Sequence, residues 1–539
     1  MLGEVGFVLA TIAIIVLVGK LSDRIGLPDA ALLTVIGLAY AMLPGPNLRL
    51  DPELVLDVVL PPLLYHAALG SSLLALRHRL RSVVSLSVAL VLATALAVGG
   101  AVSWLVPAVP LAAAIALGAA VAPPDPVAAL SIGRRAGLPS RLTTLIEGEG
   151  LLNDATALTT YQVAVAVAVG GGFSFGLAAG QFVLAAVGGV LAGVVVAMLV
   201  RLSWRGLTDP LSVNAVSLAT PFAAYVFGEV LHVSGVLAVV VAGLIIGHQN
   251  PRLQTGASRL QTGAVWRLVN YLLEGFVFLL IGQQLPEVVD GLGAYPTRDI
   301  VVTAGVTVAV VLLLRPVWLI ATQRLPWWLH SRLGGDGGSS TVDRPLSGKE
   351  ITALSWAGTR GVITLAAAFA IPLTTRAGAP FPARDLLLFS GYLVVLVTLL
   401  GQGLTFGPLL RRLRLRTNVH DQARLRNQAR AAGVDAALAR LKQMEKDGEL
   451  AADVIGVIRN SLLIQQRRYR TRLAFLEENP GVLRSEEYHS AVRARRAVIE
   501  AQHEELLRWR DAGRLPDASL RILQRELDHE ERTLPTPPS

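Results

Sequence analysis

The chain has 539 residues, of which 53% are hydrophobic and only 16% are charged, whereas a typical soluble domain is about 25% charged. The apolar residues form long runs between residue 1 and about residue 416, and residues 417–539 are polar. This distribution excludes a single soluble globular enzyme. The absence of cysteine excludes a disulfide framework, cysteine-ligated zinc and thiol catalysis.

Thirteen apolar runs lie within residues 1–416, and each is about 17–25 residues long, enough for a helix to cross a bilayer. The sequence therefore predicts an all-α polytopic membrane protein with about thirteen transmembrane helices. In chain order the predicted spans are 4–20, 27–43, 53–75, 80–105, 109–133, 140–169, 177–200, 210–229, 233–248, 264–289, 299–321, 350–372 and 384–410.

The distribution of Lys and Arg predicts the orientation of these spans, because cytoplasmic loops carry an excess of basic residues. With the N-terminus outside, the inner loops carry 21 Lys and Arg residues and the outer loops carry four. We therefore expect a domain at 1–416 in the cell membrane and a cytoplasmic domain at 417–539. The same bias accounts for most of the formal net charge of +9, so nucleic acid is not expected as a partner.

The cytoplasmic domain is predicted to contain polar helices at 419–446, 450–478, 484–511 and 517–532, with Pro480 and Pro516 between them. Apolar residues recur at helical spacing in the first two. We expect these helices to pack on one another or on a second copy of the chain. A regulatory sensor is the alternative, although no ligand-binding motif supports it.

Few ionisable residues remain inside the predicted spans once those near the membrane surface are set aside. Five of them are deep and two are less so; in that order they are Asp125, Glu149, Asp154, Arg315, Arg360, His66 and Glu274. A charged side chain at the middle of a transmembrane helix costs at least about 2.5–3.5 kcal/mol. Each of these residues is therefore expected to have a partner or a function.

Span 109–133 is predicted to be interrupted at Asp125, because Pro123, Pro124 and Pro126 surround this residue. Proline cannot continue a regular helix. Interrupted spans leave helix ends inside the membrane, as at the binding sites of many secondary transporters. A simple proline kink is the alternative, and the carboxylate at the break argues against it.

A second interruption is predicted near Arg360, which lies between Gly358 and Gly361 in span 350–372. The two interrupted spans are the fifth and the twelfth. Each is therefore the fifth helix of a six-helix half, with one linking helix between the halves. This correspondence predicts two inverted repeats, an arrangement common in secondary transporters.

Asn153 and Asp154 lie inside the apolar run of span 140–169, and Thr156 follows them. An unpaired carboxylate in this position can hold either a proton or a cation, so Asp154 is a candidate for ion exchange. The alternative is a structural carboxylate within a hydrogen-bond network.

Arg315 and Arg360 are permanently charged, so each is expected to face a carboxylate or the carbonyl groups of a helix C-terminus. Pairing one of them with Glu149 would leave Asp154 free to exchange its ions. The sequence does not decide between the two arginines, and we favour Arg360.

Five motifs that include these residues resemble those of the sodium/proton exchanger branch of the monovalent cation:proton antiporter superfamily, in its bacterial form (cation:proton antiporter family 1). They are LPPLLYHAAL at 60–69, PDPVAAL at 124–130, GEGLLNDATAL at 148–158, FVFLLIGQQL at 276–285 and WAGTRGVITLA at 356–366. The resemblance implies thirteen helices, two of them discontinuous and crossing, in a homodimer with elevator-like motion. It also implies electroneutral exchange of Na⁺, or of Li⁺ or K⁺, for H⁺ without a cofactor.

By matching positions, the resemblance implies that Asp154 binds the cation or the proton, supported by Asn153 and Asp125. Glu149 and Arg360 would form a structural ion pair. Further supporting candidates are Arg315, Thr156, Pro124, His66 and Glu274.

Three residues depart from the family pattern. Pro124 stands where threonine is common, Gly150 replaces a common serine, and His66 stands where an acidic residue is common. These departures bear on ion preference and leave the exchange reaction itself unaffected.

Other functions compete with sodium/proton exchange. Potassium/proton exchange is one, and a proton-coupled carrier of an organic solute is another. The carrier would need a larger pocket, whereas span 140–169 is rich in side-chain oxygen and poor in aromatic residues. An intramembrane enzyme is disfavoured, since the histidines form no HExxH sequence. Expected partners are membrane lipid, a second copy and, for the cytoplasmic domain, a regulator.

Overall fold

The structure, a computed structural model, describes residues 2–43, 51–170, 175–207, 209–324, 346–415, 419–448, 451–479, 486–512 and 514–532. The chain divides into two compact units, Met1–Thr417 and Asn418–Ser539. In the described residues the regular elements are helices, apart from an isolated bridge between Thr374 and Pro380. The protein is therefore all-α, as predicted.

The helices before residue 170 mostly follow apolar runs. They are α1 (Leu2–Ile25), α2 (Asp29–Ala41), α3 (Leu60–Gly70), α4 (Leu73–His78), α5 (Leu80–Val84), α6 (Leu90–Leu105), α7 (Leu111–Val121), α8 (Pro126–Ala136) and α9 (Ser140–Ala168). Two π-helical turns, Leu54–Val59 and Ser85–Ala89, lead directly into α3 and α6.

The remaining helices of the first unit, in chain order, are α10 (Phe175–Trp204), α11 (Pro210–Val230), α12 (Gly235–Leu253), α13 (Gly256–Gln283), α14 (Leu285–Asp290), α15 (Thr297–Arg324), α16 (Gly348–Trp356), α17 (Val362–Phe369), α18 (Arg384–Leu396) and α19 (Gly403–Leu413). A π-helical turn, Val397–Gln402, joins α18 to α19.

The structure confirms both predicted interruptions. The first separates α7 from α8, and Pro126 occupies the first turn of α8, where a missing N–H costs nothing. The second separates α16 from α17, and the extended backbone of Gly361 immediately precedes α17.

Eight helical segments in the described part of the chain, some of which contain more than one of the helices above, are long and apolar enough to cross a membrane: Leu80–Leu105, Leu111–Ala136, Ala179–Trp204, Pro210–Val230, Gly235–Leu253, Gly256–Ala294, Thr297–Thr322 and Arg384–Leu413. Asp29–Ala41 and Leu54–Gly70 are shorter apolar helices. Spans 140–169 and 350–372 are among the predicted spans missing from this set, for different reasons. Polar residues such as Asn153 and Asp154 lower the hydropathy of α9, and the second interruption divides span 350–372 into two short helices. The count of thirteen spans stays a prediction.

Most of the close helix contacts in the first unit fall within two groups, and fewer join one group to the other. The first helix group is α1, α2, α3 and α10–α13, and the second helix group is α6–α9 and α15–α19. Glycines bring backbones close in both groups. A Cβ at Gly37 of α2 would collide with the Leu279 carbonyl of α13, and one at Gly118 of α7 would collide with the Ala95 carbonyl of α6. Such packing is typical of membrane helices.

The second unit contains four polar helices in its described residues: α20 (Val419–Lys446), α21 (Ala452–Glu478), α22 (Glu486–Asp511) and α23 (Asp517–Arg532). The helix α20 packs on α21, and α22 packs on α23. The predicted apolar face of α21 is buried at Ile455 and Leu476, whereas Pro480 lies outside the described residues. The cytoplasmic location of this unit stays a prediction.

Candidate functional site

The two interruptions contact each other directly. The N–H of Asp125 donates to the carbonyl oxygen of Thr359 over 2.7 Å, and the Thr359 hydroxyl donates to the carbonyl oxygen of Asp125 over 3.0 Å. Gly361 faces the Asp125 carboxylate, with which a Cβ at this position would collide. Glycine at this position therefore allows the two breaks to approach each other.

Charged side chains lie at the helix ends that the interruptions create. The Asp125 carboxylate accepts a hydrogen bond from the N–H of Val127 over 2.9 Å and caps the N-terminus of α8. The Arg360 guanidinium donates to the carbonyl oxygen of Val121 at the end of α7, over 2.8 Å, and to that of Gly358 just beyond α16. Each side chain therefore carries the charge that the adjoining helix end favours.

Asn153 and Asp154 on α9 are buried, with 0% and 3% of their surfaces exposed. The Asn153 amide N–H donates to the carbonyl oxygen of Pro124 over 2.9 Å, which joins α9 to the first interruption. The side-chain oxygen of Asn153 has no hydrogen-bond partner among the described residues. The Asp154 carboxylate likewise has no hydrogen-bond or ion-pair partner in the described part of the chain, and Asp125 is within electrostatic range of it.

These unpartnered oxygens fit a proton or a small monovalent cation. A buried carboxylate requires a proton or a counter-charge, and hard cations prefer oxygen ligands. Thr156 is also buried, and its hydroxyl donates to the Leu152 carbonyl oxygen over 3.4 Å. Its oxygen can still accept or coordinate, so Thr156 stays a supporting candidate.

Glu149 is paired with Arg315, so the predicted pairing with Arg360 is wrong. Both terminal nitrogens of Arg315 donate to the Glu149 carboxylate, one of them over 2.8 Å. The Nε atom of Arg315 donates to the Leu354 carbonyl oxygen over 2.9 Å. Both charged side chains are at most 4% exposed. The pair joins α9 to α15 with bidentate geometry, the strong form of an arginine–carboxylate contact.

Arg360 contacts the carbonyl groups of helix C-termini, the alternative that the sequence left open for both arginines. It is surrounded by carbonyl groups that the interruptions leave without helical partners, and its five donors can satisfy several of them. Gly358 lies between the two arginines, with its Cβ position 3.0 Å from the Arg315 Cδ and 3.2 Å from the Arg360 Nη1. The two arginines are therefore neighbours in the structure. For this reason the sequence could not predict which of them pairs with Glu149.

His66 and Glu274 lie on the first helix group, whereas Asp125, Asn153 and Asp154 lie on the second. His66 of α3 is half-buried and stacks on Trp266, with ring centroids 6.1 Å apart. Glu274 of α13 is also half-buried and accepts a hydrogen bond from Asn270. Asp125 lies within electrostatic range of Glu274. Both residues stay supporting candidates.

Two site residues escaped the sequence analysis, and one departure has a steric explanation. Thr359 bridges the breaks, and the Thr398 hydroxyl accepts from the N–H of Arg360 over 2.9 Å. The position of Thr359 directly before Arg360 could have indicated its role, whereas no local sequence pattern indicates Thr398.

A Cβ at Gly150 would lie 2.8 Å from the Pro126 Cδ, so a serine there would require a shift of the Pro126 ring or of α9.

The chain matches the family model described as "Sodium/hydrogen exchanger, transmembrane" over residues 8–412. It is 33% identical to an uncharacterised Na⁺/H⁺ exchanger of Mycobacterium tuberculosis, over 99% of this chain and 98% of that protein. It is 32% identical to the sodium, potassium, lithium and rubidium/H⁺ antiporter of Bacillus subtilis, over 69% of this chain and 56% of that protein.

The fold is similar to that of the sodium proton antiporter MjNhaP1 from Methanocaldococcus jannaschii, solved at pH 8. The TM-score is 0.59 at 18% sequence identity, and the match covers 76% of this chain and 98% of that one. The broken helices and the buried carboxylate thus occur in a chain whose whole membrane region matches one family. The chain belongs to the sodium/hydrogen exchanger family of transmembrane antiporters.

Proposed function

We propose that this protein exchanges one monovalent cation, Na⁺ in the first place, for one H⁺ across the cell membrane, and that Asp154 binds both ions in turn. The observation that carries the proposal is the buried Asp154 carboxylate, which has no partner in the described residues and follows directly in sequence on Asn153, whose side-chain oxygen also has none. Glu149 is already neutralised by Arg315, which leaves Asp154 free to bind ions.

Competition for this carboxylate explains exchange. A site that holds either a proton or a monovalent cation is nearly neutral and can change sides. An empty, charged site stays in place, because moving an isolated charge through an apolar region is costly. Each crossing of the cation is therefore matched by a crossing of one proton in the opposite direction, and the cycle moves no net charge.

The two helix groups support an elevator-like cycle. The second group carries Asp125, Asn153 and Asp154, and its movement past the first group would expose the site to either side alternately. Thirteen spans in two inverted halves, with the N-terminus outside and the second unit in the cytoplasm, complete this proposal. A homodimer held through the first helix group would keep that group fixed in the membrane.

The proposed ion is Na⁺, with Li⁺ and K⁺ as the next candidates. The name of the Bacillus subtilis relative includes sodium, potassium, lithium and rubidium, which supports testing each alkali cation separately. Pro124 offers its carbonyl oxygen to Asn153 and has no hydroxyl to offer the ion. The coordination shell is therefore expected to rely on side-chain oxygens of α9 and on water.

The test is transport in proteoliposomes that contain a pH-sensitive dye. Addition of Na⁺, Li⁺ or K⁺ should move protons without an imposed membrane potential. Asp154→Asn should abolish this movement while the protein stays folded. The control is Glu147→Gln, which removes a carboxylate from the same helix and should retain exchange. Exchange by Asp154→Asn at the unsubstituted rate would refute the site.

A further inference from the structure

Arg134 and Arg135 are adjacent at the C-terminal end of α8, yet their partners lie on different helices. The Arg134 guanidinium is 3.3 Å from the carboxylate of Glu147 on α9. The Arg135 guanidinium is 3.2 Å from the carboxylate of Asp23 and 3.6 Å from that of Asp29. Neighbouring residues of the same type therefore form ion pairs with different helices.

The acceptors of Arg135 lie close together around the turn between α1 and α2. The Ser22 hydroxyl lies 2.6 Å from the Leu27 carbonyl oxygen and also contacts the Asp29 carboxylate. Arg135 in turn donates to this hydroxyl over 3.2 Å. Gly26 has a φ of 70°, which permits the tight reversal. The oxygens that receive Arg135 are thus held close together by contacts within the turn itself.

The two arginines differ in what they connect. Both α8 and α9 belong to the second helix group, so the Arg134 ion pair joins two parts of one group. Arg134 also lies within electrostatic range of His66 and Glu274 on the first group, but it forms no ion pair with either among the described residues. The helices α1 and α2 belong to the first helix group, so Arg135 joins one group to the other. Asp125 caps the opposite end of α8. Arg135 therefore connects the first group to the helix that carries a carboxylate of the candidate site.

We propose that Arg135 is a positioning residue that holds α8 against the α1–α2 turn in one of the two access conformations and so sets the ratio between them. This inference rests on the proposed function, because movement of the second group past the first would separate Arg135 from Asp23 and Asp29.

These contacts are weak enough to shift the ratio between the two conformations without preventing the change from one to the other. The Arg135 side chain is 49% exposed and that of Asp23 is 74% exposed, and exposed ion pairs contribute little. A contact made in only one of two conformations shifts their ratio by its own free energy. Loss of the Arg135 contacts should therefore change the ratio about 1.5- to 5-fold.

The absence of cysteine allows this ratio to be measured with two introduced spin labels. Lys20→Cys on α1 and Ser140→Cys on α9 place the labels at exposed positions, one on each helix group. The distance distribution between the labels, recorded in lipid, reports both conformations. Arg135→Gln should move population from one distance to the other by about 1.5- to 5-fold, and Arg135→Lys should retain most of the original ratio.

Arg134→Gln is the matched control, because it removes the same charge from the adjacent position but breaks a contact within one group. Its distance distribution should shift less than that of Arg135→Gln, because its ion pair lies within one group and its longer-range effects on His66 and Glu274 are of opposite sign. Asp23→Asn combined with Asp29→Asn removes the Arg135 contacts from the other side and should reproduce the shift. An unchanged distribution in Arg135→Gln, or equal shifts in both arginine variants, overturns the proposal.

Transport measurements keep this inference separate from the proposed function. If unsubstituted protein exchanges cations for protons, Arg135→Gln should alter the apparent KM for the cation while exchange continues. If unsubstituted protein shows no exchange, the proposed function fails. The label distances then still decide whether Arg135 sets the ratio between conformations.

Discussion

Glu149 and Asp154 are five residues apart on α9 and have opposite surroundings. Arg315 holds Glu149 through both of its terminal nitrogens. Asp154 is equally buried, but no described residue pairs with it. The same chemical group is therefore paired with arginine at one position and unpaired at the other, where we propose that it binds ions.

Arg315→Gln is expected to destabilise the protein strongly, because it leaves Glu149 buried without its counter-charge. Removing one partner of a buried ion pair costs about 3–5 kcal/mol. The measurement is thermal unfolding of the detergent-solubilised protein. Arg315→Gln combined with Glu149→Gln should recover much of the loss, since no unpaired charge then remains. Equal destabilisation by the single and double variants would contradict this account.

At the level of elements, the crossing of the two interruptions depends on Gly361. Gly361→Ala would place a Cβ against the Asp125 carboxylate, so the breaks must separate or Asp125 must leave the α8 N-terminus. We expect exchange in proteoliposomes to fall at least tenfold, which corresponds to about 1.4 kcal/mol.

Gly403→Ala is the control for this prediction, because a Cβ there meets nothing within 4 Å. It adds the same methyl group within the first turn of α19 and should leave exchange unchanged. Full activity of Gly361→Ala would show that the close approach of the breaks is dispensable.

The sequence predicted the broken helices but not their contacts. Proline and glycine act on the backbone where they stand, so the interruptions around Asp125 and Arg360 could be read from local sequence. The partner of Glu149 could not, because Arg315 and Arg360 are both deep and their choice depends on how α15 and the second break lie beside α9. The Thr398 contact with Arg360 escaped for the same reason, since it joins elements distant in the chain.

At the level of the whole molecule, the basic loops predict which surface faces the cytoplasm. Gly206→Cys lies in a predicted inner loop and Gly293→Cys in a predicted outer loop, and each would be the only cysteine in the chain. A membrane-impermeant maleimide should label Gly293→Cys in intact cells and Gly206→Cys only after permeabilisation. The opposite pattern would reverse the proposed orientation.

Hydropathy alone does not reveal the division into two helix groups. Apolar runs predict where helices form, but lipid satisfies every apolar surface equally, so partner choice rests on small residues and polar contacts. Gly37 and Gly118 illustrate this, since each is one glycine among 51 in the sequence. Their close contacts with α13 and α6 appear only when the helices are assembled.

The prolines of the first interruption have a consequence for the sign of the transported ion. Proline has no N–H, the N–H of Asp125 is used by Thr359, and that of Val127 is used by the Asp125 carboxylate. Helix N-termini often bind anions through free N–H groups, whereas the Asp125 carboxylate already occupies this one. The Asp125 carboxylate at this N-terminus therefore disfavours an anion there, and a protein without the Asp154 carboxylate should become inactive rather than an anion carrier.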